Sequence, residues 1–290
     1  MTWGLAMSGG GILGAAHLGV VAELDAMGLR PDILTGTSAG GLVALSLAAG
    51  VGVDALTAFG ARVCRHPLEY FRPQVVRVVL QALPFDPRQP ATGLLDPAGF
   101  VAGLAALASG RTALRDLERP CAATSVDLRS LDAVAFVGGL GAAPAPAAEG
   151  WQALTGEELS VALWATMAEP VLFMPLERPP RLYADGGVAD TLPVDWAMRL
   201  GSARVLAVDV ATPGPAPRRF DICSVVQRSE AYATRELSAL RVPPAAQVLT
   251  LQPRTAGVGF PGLKAYPRLV AAGQAAVRER AEEIRRFLAA

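Results

Sequence analysis

Histidine is almost missing from this sequence: among 290 residues only His17 and His66 carry an imidazole. A hydrolase triad of the α/β type runs in the order serine, acid, histidine. With no histidine beyond residue 66, the long remainder of the chain cannot supply its last member. Lysine is scarcer still, with Lys264 alone, and arginine brings the basic total to 26 against 26 acidic residues. A zero net charge lacks the basic surplus of a nucleic-acid-binding chain. Cysteine is limited to Cys64, Cys121 and Cys223, odd in number and far apart. That pattern supports neither a disulfide framework nor a metal site, and it predicts a reducing, cytoplasmic setting. No basic stretch precedes the first apolar segment, which starts almost at Met1, so no secretory leader is expected.

What the chain has in quantity is apolar surface. A hydrophobic content of 52% over this length can bury a large core, expected as a single domain spanning 1–290. Strand-like runs lie near Leu5, Ile33, Ala122, Val134, Tyr183, Val205 and Val248. Helical runs lie at 15–27, 38–49, 157–167, 194–200 and 263–288. The alternation predicts an α/β fold, layered around a mostly parallel central sheet flanked by helices. The uncharged run from Ile33 to Val53 is long enough to cross a bilayer. Gly36, Gly40, Gly41, Gly50 and Gly52 interrupt it, however, and strands and helices of a covered parallel sheet are equally apolar. It reads as core. The alternating Ala and Pro of 138–150 read as a loop. The least regular part is 67–97, where Val75, Val76, Val78, Val79, Leu80 and Leu83 are interleaved with arginines. It reads as a surface helix or, alternatively, as a lid or substrate-entry segment.

Three short segments carry chemistry. Gly36-Thr37-Ser38-Ala39-Gly40 follows the strand-like Ile33-Leu34-Thr35 and leads into an Ala/Leu-rich helix. In that context G-x-S-x-G is a nucleophile elbow, with Ser38 raised on a strained turn and Gly36 and Gly40 allowing strand and helix to pack closely. The duller reading of Ser38 is a helix cap. Ser8-Gly9-Gly10-Gly11-Ile12-Leu13-Gly14 comes after the first strand and can turn several backbone N–H groups towards one point, as an anion nest. In an acyl-transfer enzyme that point receives the tetrahedral oxyanion, each donor contributing about 3 kcal/mol. Asp185-Gly186-Gly187 ends the strand-like run Arg181 to Ala184 and places a carboxylate in a tight turn. Asp185 would otherwise merely brace that turn.

Since neither His17 nor His66 follows Asp185, the remaining arrangement has two members. Ser38 is the nucleophile and the Asp185 carboxylate takes its proton directly. An exposed aspartate is a poor base at neutral pH, so this reading requires Asp185 to be buried. His17 reads as a satisfied helix residue beside the loop and His66 as a residue at a helix end.

The order of glycine loop, G-x-S-x-G and D-G-G resembles the patatin-like phospholipase family. Further likeness lies in Thr166-Met167-Ala168-Glu169-Pro170-Val171-Leu172-Phe173, in Asp185-Gly186-Gly187-Val188 with Leu192-Pro193-Val194, and in the stretch from Leu114 to Leu128. The resemblance covers most of the chain. It implies a three-layer hydrolase domain, a Ser38–Asp185 dyad and an oxyanion hole from Gly9, Gly10, Gly11 and Ala39, with Gly14, Gly36, Gly40, Gly186 and Gly187 in support. It implies a lipid or other acyl-ester substrate, leaves transient contact with a membrane surface open, and calls for no metal or organic cofactor. Two departures stand out. Leu13 occupies a place where the family often has Arg or Lys, and Asp190-Thr191 a place where it often has asparagines. The first weakens the case for an anionic headgroup docking beside the glycine loop.

Two other readings are kept. Gly9 to Gly14 also fits G-x-G-x-x-G, the dinucleotide fingerprint. That fold expects an acidic residue at the end of the next strand, and here the strand ends in Gly36-Thr37-Ser38. A catalytically silent patatin-like binding or regulatory module is the other.

Overall fold

The computed structural model describes residues 2–74, 91–139, 150–210, 225–226, 228–229, 231–234, 247–258 and 262–289. Among the described residues nine strands form the central sheet: β1 (Trp3–Met7), β2 (Ile33–Thr37), β5 (Cys121–Asp127), β6 (Asp132–Gly138), β7 (Trp151–Leu154), β9 (Leu176–Arg178), β10 (Arg181–Asp185), β11 (Arg204–Val208) and β12 (Val248–Leu251). A small second sheet holds β3 (Arg72–Pro73), β4 (Gly93–Asp96) and β8 (Val171–Phe173). In the central sheet β12, β11, β1, β2 and β5 lie side by side and parallel. The antiparallel part begins at β5, which pairs with β6 and β10. The sheet is mostly parallel and flanked by helices, as expected.

Alternation along the strands shows why both faces are covered. Leu5 and Met7 of β1, Leu34 of β2, and Leu206 and Val208 of β11 point into one large core. Ala6, Ile33, Val205 and Ala207 point to the opposite face and pack on Val194 and Ala197. Successive side chains of a strand take opposite faces, so strands buried on both sides have to be apolar throughout. The first face carries helices α1 (Ala15–Ala26), α2 (Ala39–Ala48), α3 (Val53–Arg65), α5 (Ala98–Ala106), α6 (Leu159–Met167), α8 (Tyr266–Glu279) and α9 (Ala281–Ala289), with the short α4 (Pro67–Tyr70) set against α3 and α5. The second carries α7 (Val194–Arg199).

The uncharged run 33–53 therefore comprises β2, the elbow and a ten-residue helix with only Ala39 and Leu42 short of full burial. Among the described residues no helix is long and apolar enough to cross a membrane. The expected helix over 263–288 is a 3-10 turn followed by α8 and α9, broken at Arg280, whose backbone leaves the helical region (φ −121°, ψ 19°). Arg280 turns its guanidinium to Glu283, at 2.6 Å, and to the Thr250 carbonyl. His66 does cap a helix end, that of α3. Of the 67–97 segment the structure gives α4, β3 and β4, while the valine-rich stretch 75–90 lies outside the described residues, as do 140–149 and Cys223.

Placement of the site follows from one feature of β5. Its pairing with β6 runs the whole way from Cys121 to Asp127 and occupies one edge. The other edge is divided. Leu34 to Thr37 of β2 pair with Cys121 to Thr124, and Asp185 to Tyr183 of β10 continue with Ser125 to Asp127. Two strands from opposite directions thus end against each other on a single edge.

Candidate active site

Ser38 stands at the junction of β2 and α2 with φ 52° and ψ −123°, a region that costs a non-glycine residue of order 1–3 kcal/mol. The surroundings hold it there. Its carbonyl accepts the first helical bond from Leu42 N at 2.9 Å, and its N–H donates to Thr166 Oγ1 at 3.0 Å. Gly40 is glycine by necessity, because a Cβ there would meet the Met7 carbonyl and lie 2.6 Å from the Ser8 carbonyl oxygen. The far end of α2 is fixed by arginines that cap its last carbonyls. Arg119 Nη2 donates to Leu47 O at 2.7 Å and Arg111 Nη1 to Ala49 O at 3.2 Å.

The glycine loop lies directly against this elbow. A Cβ on Gly9 would sit 3.4 Å from the Ser38 Cβ, and one on Gly14 would strike the Ala39 Cβ. Gly10 (φ 146°) and Gly11 (φ 54°) adopt conformations that side chains disfavour, and a 3-10 turn spans Gly11–Gly14. Gly10 and Ala39 are half-exposed and Gly11 is exposed, whereas Gly9 is buried. The Gly9 N–H is engaged by the Thr191 carbonyl at 3.0 Å, which removes Gly9 from the expected set of oxyanion donors. Ala39 and Gly11 each open a helical turn, where first amides find no partner within the helix. Leu13 packs partly buried against the main core, so that position offers no charge to the loop.

Beneath the loop sits Ser8, fully buried and bonded through every polar atom it has. Its N–H donates to Val208 O at 3.0 Å, its Oγ donates to Gly9 O and accepts from Val210 N, both at 2.9 Å, and its carbonyl meets His17 Nε2 at 2.8 Å. His17 is wholly buried in α1, and burial pushes its pKa down to about 4 against the opposing pulls of the Ser8 carbonyl and Asp209. It is a neutral ring that donates to Ser8, while Nδ1 has no hydrogen-bond partner among the described residues. The expectation of a structural histidine near the loop holds, with one nitrogen satisfied rather than two.

Asp185 ends β10 with 4% of its surface exposed. Its Oδ1 accepts from Gly187 N at 2.7 Å, and its own N–H donates to Ala168 O at 3.0 Å. Gly186 is packed against Thr124, leaving no room for a Cβ. The following loop is laced to both other motifs. Thr37 Oγ1 donates to Asp190 O at 2.8 Å and lies 2.6 Å from Thr124 Oγ1, Thr35 Oγ1 donates to Pro193 O at 2.9 Å, and Thr191 O holds Gly9. Asp190 and Thr191 act here through their carbonyls, and the Asp190 side chain braces the same loop, its Oδ1 accepting from Leu192 N at 3.1 Å.

Ser38, Asp185, Gly10, Gly11 and Ala39 are thereby brought to one end of the sheet. Sequence reasoning missed Ser8, Thr37 and Thr124 as supports, although Ser8 and Thr37 stand inside the two motifs. Among the described residues no group of three His, Cys, Asp or Glu side chains could hold a metal ion. The expected acidic residue of a dinucleotide site is absent from β2, which ends at Thr37 and passes straight into the elbow.

A strained serine between a parallel strand and a helix, with a glycine turn against it and a buried aspartate on a strand that ends against the first along β5, defines an α/β protein of nucleophile-elbow geometry. The family model for patatin-like phospholipase matches residues 5–198, well over half of the chain. The protein belongs to the patatin-like phospholipase family, a family of lipid acyl hydrolases. Among solved structures it is similar to VipD from Legionella pneumophila, with 14% identity and a TM-score of 0.49, over 97% of this chain and 67% of that one. It is also similar to the type III effector protein ExoU, with 15% identity and a TM-score of 0.41, over 97% of this chain and 53% of that one.

Proposed function

We propose that this protein is a serine acyl-ester hydrolase acting on lipid acyl esters through a Ser38–Asp185 dyad. The observation that carries the reading is the shared edge of β5, where the elbow bearing Ser38 and the strand ending in Asp185 meet at Thr124 and Ser125. Ser38 Oγ attacks the ester carbonyl carbon while its proton passes to the Asp185 carboxylate. The oxyanion is received by the amides of Gly10, Gly11 and Ala39. Collapse expels the alcohol, which takes the proton from Asp185, and leaves an acyl-enzyme on Ser38. Water then attacks with Asp185 again as base, the second tetrahedral intermediate collapses as Asp185 returns that proton to Ser38 Oγ, and the carboxylic acid departs.

Support comes from the strain at Ser38, the exposure of Gly10, Gly11 and Ala39, and the burial of Asp185. The chemistry requires no cofactor. With Leu13 packed on the core, recognition at the glycine loop rests on the acyl group and not on an anionic headgroup. The test is intact mass after exposure to a fluorophosphonate, for wild type and Ser38→Ala. A single adduct on the first and none on the second is expected. A folded wild type that takes no adduct overturns the proposal and returns the silent binding module to first place.

A further inference from the structure

The block Thr166-Met167-Ala168, conspicuous in the sequence, has no part in the reaction just described. Its position is unusual. Thr166 is fully buried in the last turn of α6, and its Oγ1 accepts the Ser38 N–H at 3.0 Å across 128 residues of sequence. Two residues further on, the Ala168 carbonyl accepts the Asp185 N–H at 3.0 Å. One helix end therefore holds the backbone amides of both members of the dyad.

A side chain is needed there because of the divided edge of β5. Up to Thr37 the β2 strand follows β5, but the next place on that edge, opposite Ser125, belongs to Asp185. Ser38 leaves the ladder at that step, and its amide turns instead to a hydroxyl from α6. Gly41, in the first turn of α2, gives the hydroxyl access, since a Cβ there would come within 2.5 Å of Thr166 Oγ1. The Ser38 peptide is thus clamped at both ends, by Thr166 on N–H and by Leu42 on the carbonyl. In a strained conformation, those two bonds set where Oγ points.

We propose that Thr166 is a positioning residue for the Ser38 nucleophile: its hydroxyl oxygen fixes the Ser38 peptide plane and thereby aims Oγ at the ester carbonyl. The proposal rests on the assignment of Ser38 as nucleophile. Thr166→Val keeps the shape and removes the acceptor, whereas Thr166→Ser keeps the acceptor and removes a methyl.

The test uses the whole chain and follows the rate of fluorophosphonate labelling, kcat and KM on a soluble short-chain ester, and thermal midpoints. Labelling rate and kcat of Thr166→Val are expected to fall about 10²-fold, the cost of a small misplacement of a reacting group. KM should stay within about twofold, because the bond lost does not touch substrate. Thr166→Ser should restore both rates. A folded Thr166→Val protein that labels at the wild-type rate overturns the proposal, as does a Thr166→Ser protein as slow as the valine variant. If the valine variant does not fold, Thr166→Ala against Thr166→Ser makes the same comparison. Wild type that fails to label overturns the nucleophile assignment itself, an outcome distinct from equal labelling of wild type and variant.

Discussion

Thr37 and Asp185 occupy consecutive places along one edge of β5, opposite Thr124 and Ser125. They arrive from opposite directions, 148 positions apart in the chain. Neither strand continues past the meeting point: β2 turns into the elbow at Ser38, and β10 turns into the Gly186-Gly187 loop. A hydroxyl-bearing turn and a carboxylate-bearing turn are set side by side by backbone pairing alone. The side chains around them then restrict their motion.

Asp185→Asn should leave the fold intact and remove turnover. The asparagine retains an oxygen to accept from Gly187 N, as Asp185 Oδ1 does at 2.7 Å, but it cannot take a proton from Ser38. Loss of a general base costs about 10²–10⁴-fold. Steady-state kcat is expected to fall by that order with an unchanged thermal midpoint, and retained turnover would rule out the dyad.

Ser8→Ala should damage stability and rate together. It strands the buried Val210 N–H and removes the hydroxyl donor to Gly9 O. An unsatisfied buried donor costs about 1–3 kcal/mol, and the glycine loop loses the tie beneath its proposed oxyanion donors. Urea unfolding and kcat on a soluble ester check the two effects. Unchanged kcat in a destabilised protein would show that the loop keeps its shape without Ser8.

Stability should fall in mild acid because of His17. Burial holds its folded-state pKa at about 4, below the ordinary 6.5. The unfolded chain therefore takes up the proton first as pH drops. Stability that is fully present above the unfolded value is lost progressively between 6.5 and about 4. The contribution is roughly 3 kcal/mol. Urea midpoints at pH 7 and pH 4.5 should differ more for wild type than for His17→Gln, which keeps a donor for Ser8 O but does not titrate. Equal differences in the two proteins would contradict the assignment.

Much of the site was legible because its parts are local. An elbow needs glycine where strand and helix approach, and Gly40 shows the reason in the Met7 carbonyl that fills the space of its side chain. A nest of amides needs left-handed backbone, and Gly10 and Gly11 supply it. The near-absence of histidine removed the triad before any geometry was known. Elements were legible where the apolar pattern was long: β1, β2, β5 and β11 in the sheet, α1 and α2 above it. The short strands β7, β8 and β9 carry too little pattern to stand out, whereas the four-residue β12 was legible at Val248. At the break, Arg280 bonds to Glu283 and Thr250, and α8 and α9 are amphipathic on both sides of it, so the sequence pattern runs through without interruption.

By itself, then, the sequence determined the family, the α/β layering and the residue types of the proposed site, since each depends on short-range backbone requirements or on strand and helix periodicity. Tertiary structure alone decided which amides stay open and which are engaged. The Gly9 N–H went to Thr191, a partner 182 positions away in the chain, and the Ser38 N–H to Thr166. Such bonds follow from strand register and from where a helix happens to end. They join single atoms of residues far apart, and although Thr166 stands in a recognisable block, no period or motif states which amide its hydroxyl or a given backbone carbonyl will take.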